Sequence, residues 1–168
     1  MTIDASLLAA LGTMPGFLHE AAQGLTSADL TTAPRGGGFS LVEHACHLRD
    51  FEAEGCLVRI ARILGEDDPA LADFDGDGLA IERSYKTQDF TAALRDYERH
   101  RARSLAALAA LGEAALARTT RFGTIGRITL RRLIEMIAEH DATHREEIAQ
   151  LLAELRAPRP ASTRGGGE

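Results

Sequence analysis

Apolar side chains recur at helical spacing in four long stretches of the chain. In the first, residues 4–24, Leu7, Leu8, Leu11, Met14, Leu18 and Ala22 fall on one side. Pro15 lies inside it, with no N–H to donate and a ring that crowds the preceding turn, so a kink or break is expected there. Residues 27–30 can add a single helical turn. The second stretch has the clearest start. Ser40 is a good N-cap and Glu43 follows three residues later, the two halves of a capping box. It runs to Leu64, where Gly65 is placed to end it, and Leu41, Leu48, Phe51 and Val58 mark its apolar side. The third begins near Thr87 or Asp89 and runs to Leu111, before Gly112. The fourth begins after the cap Thr129 and runs to about Leu155.

The segments between them read as connections: a loop over 33–40, an acidic loop over 66–84, and a Gly-punctuated stretch over 121–127. Four long helices around one core predict an all-α protein, a four-helix bundle occupying residues 1–156. The long linker between helices two and three leaves room for a crossover, so simple up-down-up-down topology is not required. The tail, residues 157–168, carries Pro, Ser, Thr and three consecutive Gly and reads as disordered.

Composition agrees. With 168 residues one core is the default, and 29 Ala and 22 Leu against two Tyr and no Trp favour helix over sheet. The net charge of −6 argues against a nucleic-acid partner, and no apolar run approaches the roughly 20 residues that span a bilayer. The first residues carry no Lys or Arg before their short apolar run, so no secretory signal is expected. Cys46 and Cys56, ten residues apart on one predicted helix, would stand about 15 Å apart. That is too far for a disulfide, and two free thiols fit a reducing cytoplasm.

The chemistry concentrates in helix four. Its apolar stripe runs through Leu130, Leu133, Ile134 and Ile137 and resumes at Ile148, Leu151, Leu152 and Leu155. The missing rungs are His140, Asp141 and His144, so both histidines point where core side chains belong. Side chains four apart on a helix have Cβ atoms about 6 Å apart, which suits two imidazoles on one ion. Two buried imidazoles without a partner would be costly, and a cation resolves that cost. Helix two offers a third ligand, His44 or His47, and periodicity does not choose between them. Three neutral nitrogens with open positions is the pattern of a catalytic ion rather than a closed structural one.

These residues resemble the DinB/YfiT-like family of metal-binding four-helix bundles. The matching pieces are Phe39-Ser-Leu-Val-Glu-His-Ala-Cys-His-Leu-Arg-Asp-Phe-Glu52, Arg59-Ile-Ala-Arg-Ile-Leu64, Asp67-Asp-Pro-Ala-Leu71 and Glu139-His-Asp-Ala-Thr-His-Arg-Glu-Glu-Ile148, within a resemblance covering about residues 5–155. The family pattern is an aromatic-Ser helix start, then His-Leu, then His-x-x-x-His in the last helix. Carried over residue by residue, it implies a metal triad of His47, His140 and His144. His47 is preferred because Leu48 follows it. Phe39 stands where the family usually has Trp, a change that does not touch the ligands.

Other patterns carry less. Asp73-Phe-Asp-Gly-Asp-Gly78 has the start of a calcium loop, but position twelve is Ser84 rather than a bidentate Glu. No histidine is preceded by Glu at three residues, which sets aside a ferritin-like di-iron site, and HExxH is absent. Glu52, Asp141 and Glu139 are candidates to fix imidazole tautomers around the triad.

Two functions follow. In the first the protein is a metal-dependent enzyme; imidazole ligands suit Zn, Ni, Fe or Cu. The resemblance implies a thiol-dependent transferase or isomerase, with a low-molecular-weight thiol beside a small-molecule substrate, and a homodimer. The alanine-rich stretch 104–117 offers a helix face for the dimer, and Arg59 and Arg62 are available to a carboxylate. The alternative is a non-catalytic metal-binding or stress-related binding protein.

Overall fold

Pro15 splits the first helix in two. The computed structural model describes residues 3–157. In it α1 (Ala5–Gly12) ends at Thr13, and α2 (Met14–Ala21) starts with the proline in its first turn. The carbonyl of Leu11, four residues before Pro15, has no helical N–H to accept from. The guanidinium of Arg101 donates to it instead, at 3.0 Å.

After the single turn α3 (Ser27–Leu30), α4 (Leu41–Asp50) begins at the Ser40–Glu43 capping box. The predicted helix two is not one regular helix. A π-helical turn, Phe51–Cys56, joins α4 to α5 (Leu57–Gly65), and the Leu57 N–H reaches the Glu52 carbonyl five residues back. The wider turn rotates everything beyond it. Val58, expected on the apolar side, is 47% exposed, while Arg59, Ile60 and Ile63 turn inward.

The linker is more than an acidic loop. It holds β1 (Ala70–Leu71), α6 (Gly76–Glu82) and a 3-10 turn at Tyr85–Thr87. Asp75, placed in the calcium-like pattern, caps α6 by accepting from the Gly78 N–H. Helix three is α7 (Phe90–Ala109), followed by the turn α8 (Glu113–Leu116). The Gly-punctuated stretch is a hairpin of β2 (Thr119–Phe122) and β3 (Gly126–Thr129), with Gly123 and Gly126 at positive φ. Strand β1 adds to β2 in parallel, Ala70 opposite Arg121, and β3 pairs with β2 antiparallel. This small sheet is an addition to the expected all-α bundle; its strands are too short to show a period-two pattern. Helix four is α9 (Leu130–Arg156), capped by Thr129. The expected disordered tail lies, beyond Ala157, outside the described residues. Among the described residues no helix is long and apolar enough to cross a membrane.

The chain directions follow from the core. At one end pack Met14, Leu18, Leu41, Leu48, Leu94, Tyr97, Ile148 and Leu151. At the other pack Leu11, Ile60, Ile63, Leu108, Leu130, Leu133, Ile134 and Ile137. Helices one and four therefore run one way, and helices two and three run the other. Two consecutive parallel helices require a connection as long as the bundle, and residues 66–89 supply it. Arg62 and Arg59 of α5 hold its first part by donating to the Ala70 and Ala72 carbonyls. Asp50 of α4 holds its last part by accepting from Arg83 and Tyr85.

Between the two core clusters lies a buried polar layer. Arg101 of α7 donates to Glu52 at 2.9 Å and grips Asp141 through two bonds of 2.6 and 3.0 Å. Glu52, Arg101 and Asp141 are each at most 5% exposed. A charge so buried persists only when paired and fully hydrogen-bonded, as this one is.

Candidate metal centre

His47 on α4 faces His140 and His144 on α9 at this level. The Nε2 atoms of His47 and His144 each lie 3.1 Å from the Nε2 of His140. One ring nitrogen carries either one proton or one lone pair, so it cannot satisfy two neighbours well. A cation bound by three lone pairs satisfies all three. Nitrogens at about 2.1 Å from one ion stand about 3.0–3.4 Å apart, which is the spacing found from His140 to each of the other two. The donor set therefore fits a divalent ion. His144 is already in the required tautomer, because its Nδ1–H donates to Glu147 at 2.8 Å and leaves Nε2 free.

The surroundings keep His47 and His140 neutral. Burial, with neighbouring His144 adding repulsion, pushes His47 down to about 4, and His140 is pushed lower still. Phe51, from the π-helical turn, stacks on His140 with ring centroids 4.0 Å apart. Gly55 makes room for that ring, since a Cβ there would sit 3.0 Å from Phe51. The crossover presses on the other side. Phe74 meets His47 and Phe51 edge-on, and a Cβ on Gly76 would lie 2.4 Å from the His47 ring. Only glycine allows the linker to approach that closely.

Two cavities border the cluster. The wider, about 630 Å³, is lined by Phe39, His44, His47, His144 and the carboxylates of Asp75, Asp77, Glu147 and Glu154. The second, about 400 Å³, is lined by His47, His140, Phe51, Phe74, Phe122, Met136, Arg59 and Asp73. Phe74 and His47 stand in both walls.

The fold has a counterpart among known proteins. The family model of the DinB superfamily matches residues 10–148, most of the chain. The chain belongs to the DinB superfamily. No curated protein matches it. The solved structure of YfiT from Bacillus subtilis, described as a probable metal-dependent hydrolase with an unusual four-helix bundle topology, matches with a TM-score of 0.82. The two share 22% sequence identity over 92% of this chain and 91% of that one.

In this DinB-superfamily bundle the candidates of the sequence part company. His47, His140 and His144 converge. His44 is buried beside them, its ring 5.2 Å from that of His144, but its Nδ1 lies 4.0 Å from Glu147, and a second potential ligand group forms from His44, His144 and Glu147. Glu52 and Asp141, expected to orient imidazoles, reach Arg101 instead. Glu139 pairs with Arg132 at the surface. Arg62 pairs with Glu66, also at the surface, whereas Arg59 is buried in the second cavity. Sequence reasoning missed Glu147, Phe51, Phe74 and Gly76. Glu147 had a signal, three residues after His144 on the same helix face. Phe74 and Gly76 had none, because only the crossover brings them to the histidines.

Proposed function

We propose that this DinB-superfamily protein is a metal-dependent enzyme acting on a small molecule, with its ion held by the Nε2 atoms of His47, His140 and His144. The convergence of those three atoms between two cavities carries the reading. A site that only braced the fold would be sealed, whereas this one is reached from two sides. A divalent ion bound there, Zn, Ni or Fe, supplies Lewis acidity and lowers the pKa of a thiol or a water. Around it the protein's residues have separate tasks. Burial keeps His47 and His140 deprotonated and ready to ligate. Glu147 fixes the His144 tautomer. Phe51, Phe74 and Phe39 keep bulk water from the rings, and the acidic wider cleft favours a neutral or cationic nucleophile-bearing molecule over an anionic one. A low-molecular-weight thiol entering there would make the protein a thiol-dependent transferase or isomerase. Hydrolysis is the second reading, supported by the likeness to YfiT. A cytoplasmic setting suits both, since Cys46 and Cys56 are free.

The test begins with metal content. Untagged protein should carry close to one equivalent of a divalent metal; His44→Ala should keep most of it and His47→Ala should lose it. Occupancy below a tenth of an equivalent after adding Zn or Ni would sink the proposal, and loss in His44→Ala alone would exchange the helix-two ligand. Loaded protein is then given cysteine with 1-chloro-2,4-dinitrobenzene, and separately 4-nitrophenyl acetate. A thiol-dependent rate absent from His47→Ala supports transfer. Ester cleavage indifferent to thiol supports hydrolysis, and metal binding with neither favours a non-catalytic protein.

A further inference from the structure

The protein buries two arginines at the level of its histidines and treats them differently. Arg101 is neutralised by Glu52 and Asp141. Arg59, 7% exposed, has no carboxylate within ion-pair distance among the described residues. Of its five N–H groups it uses one in a described hydrogen bond, to the Ala72 carbonyl at 2.8 Å. Its guanidinium lies over the ring of Phe122, 4.7 Å from the centroid, and 5.8 Å from that of Phe51. Both rings, with Phe74, Met136 and the guanidinium itself, wall the cavity that opens onto His47 and His140. Asp73, on the wall of the same cavity, lies beyond ion-pair reach, and a Cβ on Gly123 would collide with its carboxylate.

A buried cation without an anion is expensive. Burial lowers the pKa of Arg59, yet a guanidinium stays charged, so the cost cannot be relieved by losing a proton. The rings recover part of it through cation–π attraction. The N–H groups of Arg59 without a protein partner are not sealed from solvent, and they fit a ligand that is planar and anionic. A carboxylate meets a guanidinium through two parallel bonds, and a flat or apolar body matches three phenylalanines and a methionine.

We propose that this cavity is the binding site for an organic carboxylate with an apolar or aromatic body, its carboxylate held by Arg59 and its body resting on Phe51, Phe74 and Phe122. The ligand lies beside His47 and His140, while the acidic cleft lies on the far side of Phe74. The wider cavity carries four carboxylates, whereas this one sets the Arg59 cation against a single carboxylate, Asp73, so a carboxylate ligand is directed here. The inference deepens the proposed function by assigning a substrate class to one side of the same site. It rests on that reading only for the catalytic use of the ligand, since binding needs no metal.

The probe is 4-fluorobenzoate, with 4-fluorobenzamide as its neutral counterpart, followed by fluorine NMR on the full chain, metal-free and zinc-loaded. In metal-free protein the carboxylate should bind at least about tenfold more tightly than the amide. Arg59→Gln should remove that preference and leave metal content unchanged. Met136→Phe, which narrows the cavity and leaves Arg59 in the chain, should weaken both probes, and it decides the matter if Arg59→Gln proves unfolded by circular dichroism. Equal binding of the two probes to metal-free protein overturns the proposal, as does indifference to both substitutions. Carboxylate binding that needs zinc and survives Arg59→Gln also overturns it, assigning the contact to the ion and leaving the metal reading intact. Binding retained by metal-free His47→Ala shows that the two readings stand separately.

Discussion

His44 and His47 resist protonation because burial strips water from the imidazolium and the neighbouring rings repel its charge, which brings them to about 3 and about 4. An unfolded chain takes up those protons near the ordinary value of about 6.5. Between pH 6.5 and 4 the unfolded state therefore binds more protons, and stability falls as pH falls. The contribution is complete above pH 6.5; at pH 5 each of the two histidines has cost about 2 kcal/mol. The thermal midpoint of metal-free protein should drop from pH 7 to pH 5. Because the ligands must be neutral, the gap between loaded and metal-free midpoints should narrow over the same range. Calorimetry at pH 7, 6 and 5 with occupancy measured at each point checks both. A constant gap at full occupancy would mean that the histidines are not the ligands.

Elements whose ends are marked by local chemistry were legible in the chain: Ser40 with Glu43, Asp89 and Thr129 begin helices where the sequence places them. His140 and His144 were legible for the same reason, being one turn apart in a broken apolar stripe. What depends on contact between distant segments was not. The two-residue strand β1 exists only because residues 70–71 meet residues 121–122. The choice of His47 over His44 needed the family resemblance, since both are buried. Arg101 drew no notice because one arginine in a charged, alanine-rich helix looks like a surface residue. Yet it joins the α1 break, the π-helical turn, α7 and α9 through Leu11, Glu52 and Asp141. Removing one partner leaves a buried charge uncompensated. Arg101→Met, which strands Glu52 and Asp141 together, should cost about 3–5 kcal/mol in urea unfolding, and adding Asp141→Asn should recover part of it by removing one of the two stranded charges. Additive losses in the double variant would show that the network is not a unit.

For the whole molecule, the parallel run of helices two and three turns a connection into part of the site. The crossover must pass along the bundle, and its path lays Phe74 and Gly76 on His47. One face remains without a described neighbour: Ala102, Ala106, Ala109 and Ala110 are exposed along α7 and at its end. Small side chains let a second helix come close, and we propose that this face joins two copies of the chain. Light scattering at micromolar concentration should give twice the chain mass of 18.1 kDa. Ala106→Glu should shift it toward the monomer, while a monomer in the wild type refutes the proposal.

The π-helical turn in helix two makes winding, apart from any side chain, a determinant of specificity. Ordinary winding through positions 51–56 with the residue count unchanged would swing α5 by about 100°. Arg59 would then leave the cavity and Val58 would take an inward position, although no side chain of the pocket had been replaced. The wide turn therefore absorbs one residue and holds the register of α5 against the bundle. A relative one residue shorter there is expected to wind as an ordinary α-helix and to keep the residue aligned with Arg59 facing the cavity.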